Sequence, residues 1–298
     1  MGRKIIWVLL FVSGFYLFFF GNSAFAEEIR CEMCHKDSVA SFVSSHHFKA
    51  WEAKKDEASC SICHGGLDEH LKNPSKDTII SFRKDSKKTP EEKNKQCLSC
   101  HARNKEVAMW QTGIHKKNDL SCTSCHQMHK GREAAKPKVE TCLSCHLDIK
   151  AKMRRNSHHP VKEGKLSCTD CHNPHGTVNK HNLIANGNEV CYKCHSEKRG
   201  PFIWEHDPVV ENCNICHDVH GSRQPKLLVE KVPNLCQDCH DWSRHPGNAY
   251  DNTNQFAGTA PATQFIARSC LNCHSTIHGS YAPTNPSNTG NAGSRFVR

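Results

Sequence analysis

The sequence is poor in the residues that build a hydrophobic core. Hydrophobic residues make up 37% of the 298-residue chain, and the mean hydropathy is −0.67. Buried apolar surface has to offset the chain entropy that is lost on folding. The composition therefore argues against a large core that is made of side chains alone.

Two further patterns are missing. No stretch shows the sustained alternation of apolar and polar residues that is typical of a half-buried strand. Beyond Phe20, no apolar run resembles a transmembrane helix. We therefore expect short helices and loops, with little strand.

The long apolar run is N-terminal. It extends from Ile5 to Phe20 behind the basic residues Arg3 and Lys4, and an Ala-Phe-Ala triplet at 24–26 fits a signal-peptidase site. We interpret residues 1–26 as a secretory signal peptide. An uncleaved anchor is the alternative, although the run is at the short end for a bilayer span of about 20 residues. No cysteine lies near the cleavage site, which argues against a lipoprotein anchor.

All 20 cysteines fall in ten Cys-x-x-Cys-His motifs, and none is left over. The cysteines are Cys31, Cys34, Cys60, Cys63, Cys97, Cys100, Cys122, Cys125, Cys142, Cys145, Cys168, Cys171, Cys191, Cys194, Cys213, Cys216, Cys236, Cys239, Cys270 and Cys273. Disulfides and zinc sites are alternatives for a secreted chain. A disulfide framework explains an even cysteine count, but it does not explain a histidine after every second cysteine.

The motif is typical of covalent haem c attachment. Two thiols three positions apart add to the two vinyl groups of one macrocycle, and the next residue is the proximal iron ligand. The predicted proximal ligands are His35, His64, His101, His126, His146, His172, His195, His217, His240 and His274. We therefore expect ten covalently bound c-type haems, whose apolar macrocycles supply the core that the side chains lack.

The motifs repeat in five pairs. The first motif of each pair begins at Cys31, Cys97, Cys142, Cys191 or Cys236, and the second at Cys60, Cys122, Cys168, Cys213 or Cys270. One histidine outside the motifs precedes each second motif, and another follows it closely. Ten of the 23 histidines are proximal, so thirteen remain for the distal side of the irons.

These remaining histidines give the predicted distal ligands. They are His46 or His47, together with His70, His115, His129, His158, His175, His206, His220, His245 and His278. His158 is preferred to His159, because His158-x-Pro160 matches His206-x-Pro208. His46 and His47 are not separated by the pattern, and His181 is interpreted as a solvated side chain.

The trailing histidines should serve a different haem from the one they follow. His129, His175 and His220 lie three residues after a proximal histidine, and three residues span at most about 10–11 Å. Passing from one axial face of a haem to the other needs more chain than that. Neighbouring haems are therefore expected to share chain segments and to pack closely.

Two histidines on every iron predict an electron carrier and not an enzyme. Catalytic metal sites keep one position open, and bis-histidine ligation lacks the methionine that raises potentials in other cytochromes. Met109, Met128 and Met153 are interpreted as packing residues. A multihaem oxyanion reductase, the alternative enzyme, would need a five-coordinate haem, and the histidine count argues against one.

The formal charge of +10 does not indicate a nucleic-acid partner. Loss of Arg3 and Lys4 lowers the charge by two, and ten ferric haems with their propionates bring it to about −2. Lys and Arg are therefore expected to pair with propionates.

Local signals place few helices. Thr89-Pro90-Glu91-Glu92 is a capping box that predicts a helix into Cys97 and on toward Trp110. A second helix is expected around Ser45–Lys55. Residues 250–263 are predicted to form a loop, and the tail 281–298 is expected not to fold by itself.

The chain resembles the DmsE/MtrA-type decahaem cytochromes. The resemblance rests on the ten motifs, the paired repeat, the CHNPHG and CHDVHG forms and the ending RSCLNCHSTIHGS, and it covers nearly all of the mature chain. It implies an elongated rod of two pentahaem halves, here 27–156 and 157–298, with short helices and loops wrapped around a linear haem chain. It also implies a periplasmic, outer-membrane-associated cytochrome that lies inside a β-barrel porin.

That resemblance implies a role and its partners. Electrons would pass between the periplasm and the cell exterior, with periplasmic or inner-membrane cytochromes on one side and an extracellular multihaem cytochrome on the other. Ten macrocycles in van der Waals contact would span about 32–36 Å, against a hydrocarbon core of about 30 Å. A soluble periplasmic shuttle and a subunit of an extracellular filament are the other readings.

Overall fold

The structure is a computed structural model, and it describes residues 31–49, 60–129, 137–240, 269–272 and 274–281. The signal segment, the loop at 250–263, the tail after residue 281 and His245 lie outside the described residues.

The helices are short. The α-helices are Glu32–Val43, Ser61–His64, Leu67–Lys72, Pro90–His101, Ile114–Lys117, Val139–Leu143, Leu147–Lys152, Glu189–Tyr192, Asp207–Glu211 and Asn234–Gln237. The 3-10 helices are Lys105–Val107, Trp110–Thr112, Cys122–Ser124, Cys168–Asp170, Lys180–Asn182, Ser196–Lys198, Cys213–Ile215, Pro225–Leu227 and Cys270–Asn272. Over the described ranges the pairing between backbones is limited to isolated bridges. The predicted class of short helices and loops with little strand is confirmed there.

The helix Pro90–His101 begins as its sequence predicts. The Thr89 hydroxyl accepts from the Glu92 N–H at 3.2 Å, and the Glu92 carboxylate accepts from the Thr89 N–H at 2.7 Å. Pro90 occupies the first helical position, where its missing N–H costs nothing. The helix ends at His101, before Trp110, and Asn104 then caps the 3-10 helix Lys105–Val107. Of the second predicted helix, residues 46–49 are helical and 50–59 lie outside the described residues.

Side chains alone make a small core. Among the described residues, the buried hydrophobic side chains are Trp110, Met153 and Val161. Large apolar side chains such as Leu147 and Val178 lie exposed. Apolar burial is the main favourable term in folding. The small core of side chains agrees with the low hydrophobic content of the sequence.

The chain divides into two compact units. The first comprises residues 1–60 and 128–133, and the second comprises 61–127 and 134–298. In the first unit, the Phe42 ring lies 6.0 Å from that of Phe48 and 5.7 Å from that of His129. His129 Nδ1 also lies 3.1 Å from the Ser38 carbonyl oxygen. The trailing histidine therefore packs on the helix Glu32–Val43.

In the second unit, the loops after the second motifs at Cys213 and Cys270 reach back to the preceding pair. Ser157 and Ser222 exchange backbone hydrogen bonds of 3.1 and 2.8 Å, and Trp204 and Ser280 exchange bonds of 3.0 and 2.9 Å. An ion pair of 2.9 Å joins Lys152 to Asp218. The pairs that begin at Cys142, Cys191 and Cys236 are thereby tied together in succession. The expected division of the chain at residues 156 and 157 stays a prediction.

Candidate haem ligand site

Each motif forms a helical turn. The N–H of the motif histidine donates to the carbonyl of the first cysteine, at 2.9 Å from His126 to Cys122 and 3.0 Å from His146 to Cys142. Positions i, i+3 and i+4 lie on one helix face. Both thiols and the imidazole of a motif are therefore presented on the same side of the backbone.

The second unit brings histidines together in pairs. Each pair joins one motif histidine with one histidine outside the motifs. The ring centroids of His115 and His146 are 6.1 Å apart, those of His126 and His175 5.9 Å, those of His159 and His195 6.4 Å, those of His172 and His220 6.0 Å, those of His206 and His240 6.0 Å, and those of His217 and His278 6.1 Å.

These separations match two imidazoles on opposite sides of one metal ion. A metal–imidazole bond is about 2.0 Å long and a ring centroid lies about 1.1 Å behind its nitrogen, so the two centroids would be about 6 Å apart. Rings in face contact would be closer. The donor set therefore fits bis-histidine ligation of a haem iron.

The six histidine pairs follow one pattern along the chain. His115, His159 and His206 precede a second motif, and each faces the first motif of the next pair. The trailing histidines His175, His220 and His278 face the second motif of the preceding pair. His220 thus faces His172 and not its neighbour His217. Each of these six histidines joins two neighbouring pairs of motifs.

Backbone carbonyls orient many of the rings. Nδ1 lies within hydrogen-bond distance of a carbonyl oxygen in His64 (Ile80, 2.9 Å), His70 (Ser75, 3.0 Å), His115 (Pro174, 2.8 Å), His159 (Val219, 2.7 Å), His172 (His181, 2.8 Å), His175 (Glu106, 3.2 Å) and His217 (Lys226, 2.9 Å). A carbonyl only accepts, so Nδ1 carries the proton and Nε2 becomes the basic nitrogen. This is how proteins fix the tautomer of a metal-ligating histidine.

Burial keeps several of these rings neutral. It lowers the pKa of His175, His206 and His220, and the facing motif histidine lowers each pKa further. For His278, burial, then Lys198 and then His217 lower the pKa. A metal binds the neutral imidazole. The folded chain therefore favours the form that ligates iron at neutral pH.

His159, and not the preferred His158, faces a motif histidine. The His159 ring faces His195, whereas His158 Nε2 lies 3.0 Å from a Glu163 carboxylate oxygen. Glu163 and the Arg155 carbonyl raise the pKa of His158, which suits a charged side chain in an ion pair. The ligand role of His158 stays a prediction. The spacing to the next motif favours His159, because His115 and His206 both lie seven residues before that motif and His159 is nearer to this spacing than His158.

The remaining predicted distal ligands are His70, His129, His245 and one of His46 and His47. His70 is held by the Ser75 carbonyl and lies 3.3 Å from the Thr78 hydroxyl. His129 packs on the first helix, as described above. His46 and His47 both lie exposed, and the choice between them stays open. His245 lies outside the described residues.

The thiols of successive motifs adjoin one another. Within a pair, a hydrogen bond donated to the other motif's first thiol raises the pKa of Cys97 and Cys168. Burial and then Cys213 raise the pKa of Cys191, and burial and then Cys270 raise that of Cys236. Thiols of the following motif also contribute, after burial, to the raised pKa of Cys63, Cys125, Cys171 and Cys216. From Cys63 to Cys270, motifs that are neighbours in sequence are therefore neighbours in space.

Sequence reasoning missed the role of two backbone carbonyls. His181 and Lys226, each nine residues after a motif histidine, adopt left-handed φ values of 57° and 58°. Their carbonyls face Nδ1 of His172 and His217. His181, interpreted as a solvated residue, thus orients a proximal ligand through its backbone. The matching nine-residue spacing was the available signal.

Two families match parts of the chain. The family described as Doubled CXXCH motif matches residues 158–200 and 206–245, and that described as Cytochrome c-type protein NrfB-like matches residues 60–138. Together with the histidine pairs, these matches define a multihaem c-type cytochrome.

Two relatives show which kind of multihaem cytochrome the chain resembles. The chain is 41% identical over 263 residues to the multihaem cytochrome MtrA of Shewanella baltica, which covers 85% of this chain and 78% of that protein. It is 33% identical over 100 residues to the cytochrome c-type protein NrfB of Haemophilus influenzae, which covers 30% of this chain and 43% of that protein. The chain belongs to the MtrA-type multihaem cytochromes, as its motifs predicted. It is an electron-transfer protein that binds c-type haem covalently.

Within the described residues, no helix is both long and apolar enough to cross a membrane.

Proposed function

We propose that the chain is a decahaem relay that passes electrons between the periplasm and the cell exterior through an outer-membrane porin. The observation that carries the proposal is the set of histidine pairs, each with ring centroids 5.9–6.4 Å apart. Six irons held in this way are joined, pair to pair, by the same segments that supply their ligands. The count of ten rests on the ten motifs.

We propose the paired histidines as the two axial ligands of one iron each. His159 then takes the position for which His158 was preferred. Haem, when bound, supplies an iron that accepts and returns one electron. The two paired imidazoles would hold the iron from opposite sides, backbone carbonyls fix the tautomer of several of these rings, and no position on the iron would then remain for a substrate. A site of this kind relays electrons and does not transform a substrate.

The succession of motifs gives the relay its order. Thiols from Cys63 to Cys270 adjoin those of the neighbouring motifs, so macrocycles attached to these motifs would also be neighbours. An electron that enters at one end would pass each haem in turn. Such an order suits a conduit between two partners, periplasmic or inner-membrane cytochromes on one side and an extracellular cytochrome on the other.

The expected ligation is tested by spin state and stoichiometry. Purified ferric protein should contain ten haems per chain by the pyridine haemochrome assay, all of them low-spin by electron paramagnetic resonance, because two imidazoles give a strong ligand field. A high-spin signal equal to one or more irons per chain would contradict the relay and favour a reductase. A protein with fewer haems would contradict the count of ten.

The partner is tested by purification. The cytochrome, extracted in mild detergent from cells that make it, is expected to elute together with a β-barrel protein. Elution of the cytochrome by itself, at its own molecular mass, would favour a soluble shuttle.

A further inference from the structure

Two asparagine side chains, one fully buried and one half-buried, link the two motifs of their pairs. Asn94, on the helix Pro90–His101, is fully buried. Its Oδ1 accepts from the Cys122 N–H at 2.7 Å, and its Nδ2 donates to the Leu120 carbonyl at 3.3 Å. One amide therefore satisfies a donor and an acceptor at the start of the second motif, from a position within the turn that leads to the first.

The same arrangement recurs two pairs later. Asn188 Oδ1 accepts from the Cys213 N–H at 2.8 Å, and its Nδ2 donates to the Val209 and Val210 carbonyls at 2.9 and 3.0 Å. Asn94 and Asn188 both lie three residues before the first cysteine of their pair. The two contacts share the residue type, its position and its partner, the N–H of the second motif's first cysteine. This repetition indicates that the contact is a regular feature of these two pairs.

The remaining pairs of the second unit lack this amide. Val139 and Pro233 occupy the equivalent positions before Cys142 and Cys236. Neither side chain has a hydrogen-bonding group. The chain therefore contains two kinds of pair, one with the amide link and one without it.

We propose that Asn94 and Asn188 are positioning residues that fix the mutual orientation of the two haems in their pairs. The proposal rests on the proposed decahaem relay. The amide acts at the place where the first thiols of the two motifs adjoin, and each thiol is an attachment point of a macrocycle. Holding the Cys122 or Cys213 N–H thus fixes one macrocycle relative to the other. The pairs at Cys97/Cys122 and Cys191/Cys213 are then more rigid than those at Cys142/Cys168 and Cys236/Cys270.

The test uses circular dichroism in the Soret band, since coupling between neighbouring haems depends on their orientation. Asn94→Leu and Asn188→Leu keep the side-chain volume and remove both hydrogen bonds. Each is expected to lower the coupled signal while haem content and the low-spin spectrum stay unchanged. Electron flow along the chain should also slow by about 10-fold, since misplacement of reacting groups by about 1 Å can cost about 100-fold.

Two further variants keep the test decisive. Asn188→Asp retains the oxygen that accepts from Cys213 and should preserve most of the signal. Val139→Asn places an amide in an unlinked pair and should increase the signal, whereas Val139→Leu should not.

The outcomes separate this proposal from the relay itself. Unchanged dichroism and electron flow in both leucine variants, with ligation intact, would overturn the positioning role and leave the relay standing. Loss of haem or a new high-spin signal in both would also overturn it, because the amides would then serve haem attachment. A wild-type protein that is not low-spin throughout would contradict the relay instead.

Discussion

Replacement of His159 by alanine is expected to convert one low-spin haem to high-spin, whereas replacement of His158 should convert none. His159 faces His195 with ring centroids 6.4 Å apart, and the Val219 carbonyl holds its Nδ1. Loss of that imidazole leaves water, a weak ligand, on the iron. His158 instead pairs with Glu163 on the surface, where an ion pair contributes little.

The two neighbours form a matched comparison. They are the same residue type, and both lie in the second unit. The measurement is the high-spin signal of each ferric variant, expressed per haem. His159→Met should remain low-spin and should raise one midpoint potential by on the order of 100 mV, because methionine favours the ferrous state. A high-spin signal in His158→Ala, with none in His159→Ala, would restore the sequence-based preference.

Replacement of Gly221 by alanine should disrupt the protein far more than replacement of Gly164. A Cβ at Gly221 would lie 2.1 Å from the Lys152 carbonyl oxygen, and the φ of 150° is one that side chains rarely adopt. Gly164 also has a positive φ, of 71°, but a Cβ there would meet nothing within 4 Å. The comparison therefore separates close packing from backbone strain.

The two substitutions are expected to lower the free energy of unfolding by different amounts. Gly164→Ala should lower the free energy of unfolding by about 1–2 kcal/mol through the left-handed backbone, and Gly221→Ala by about 2–5 kcal/mol through overlap and strain. Gly221 follows His220, so the overlap should also move that ring away from His172 and produce a high-spin haem. Guanidinium unfolding and the spin state measure both effects. Equal losses in the two variants would refute the close approach to the helix Leu147–Lys152.

Local features were predictable from the sequence. The motif turns depend on residues four positions apart, and the capping box at Thr89 depends on residues three apart. The pairing of the motifs followed from their order along the chain, and counting gave enough histidines for two on every iron, although not which histidine faces which motif. The short helices and the scarcity of strand in the described residues followed from the missing alternation. Each of these features is set by neighbours along the chain, which the sequence displays directly.

Features that depend on tertiary contact were not predictable. The choice of His159 depends on a carbonyl 60 residues away, and the Asn94 amide reaches Cys122 across 28 residues. The local sequence gives two signals for neighbouring histidines, the His-x-Pro match and the spacing to the next motif, and at His158 and His159 they disagree. The carbonyls of His181 and Lys226 were missed because a side-chain motif does not show what a backbone group contacts.

The central claim is that this cytochrome carries electrons across a membrane inside a porin, and a vesicle measurement tests it most directly. Liposomes enclose a reduced dye, and a membrane-impermeant oxidant is added outside. The cytochrome together with its barrel partner should oxidise the dye, while vesicles that contain either protein by itself should retain it. Oxidation by the cytochrome without the barrel, or retention of the dye when both proteins are present in a stable complex, would contradict the conduit.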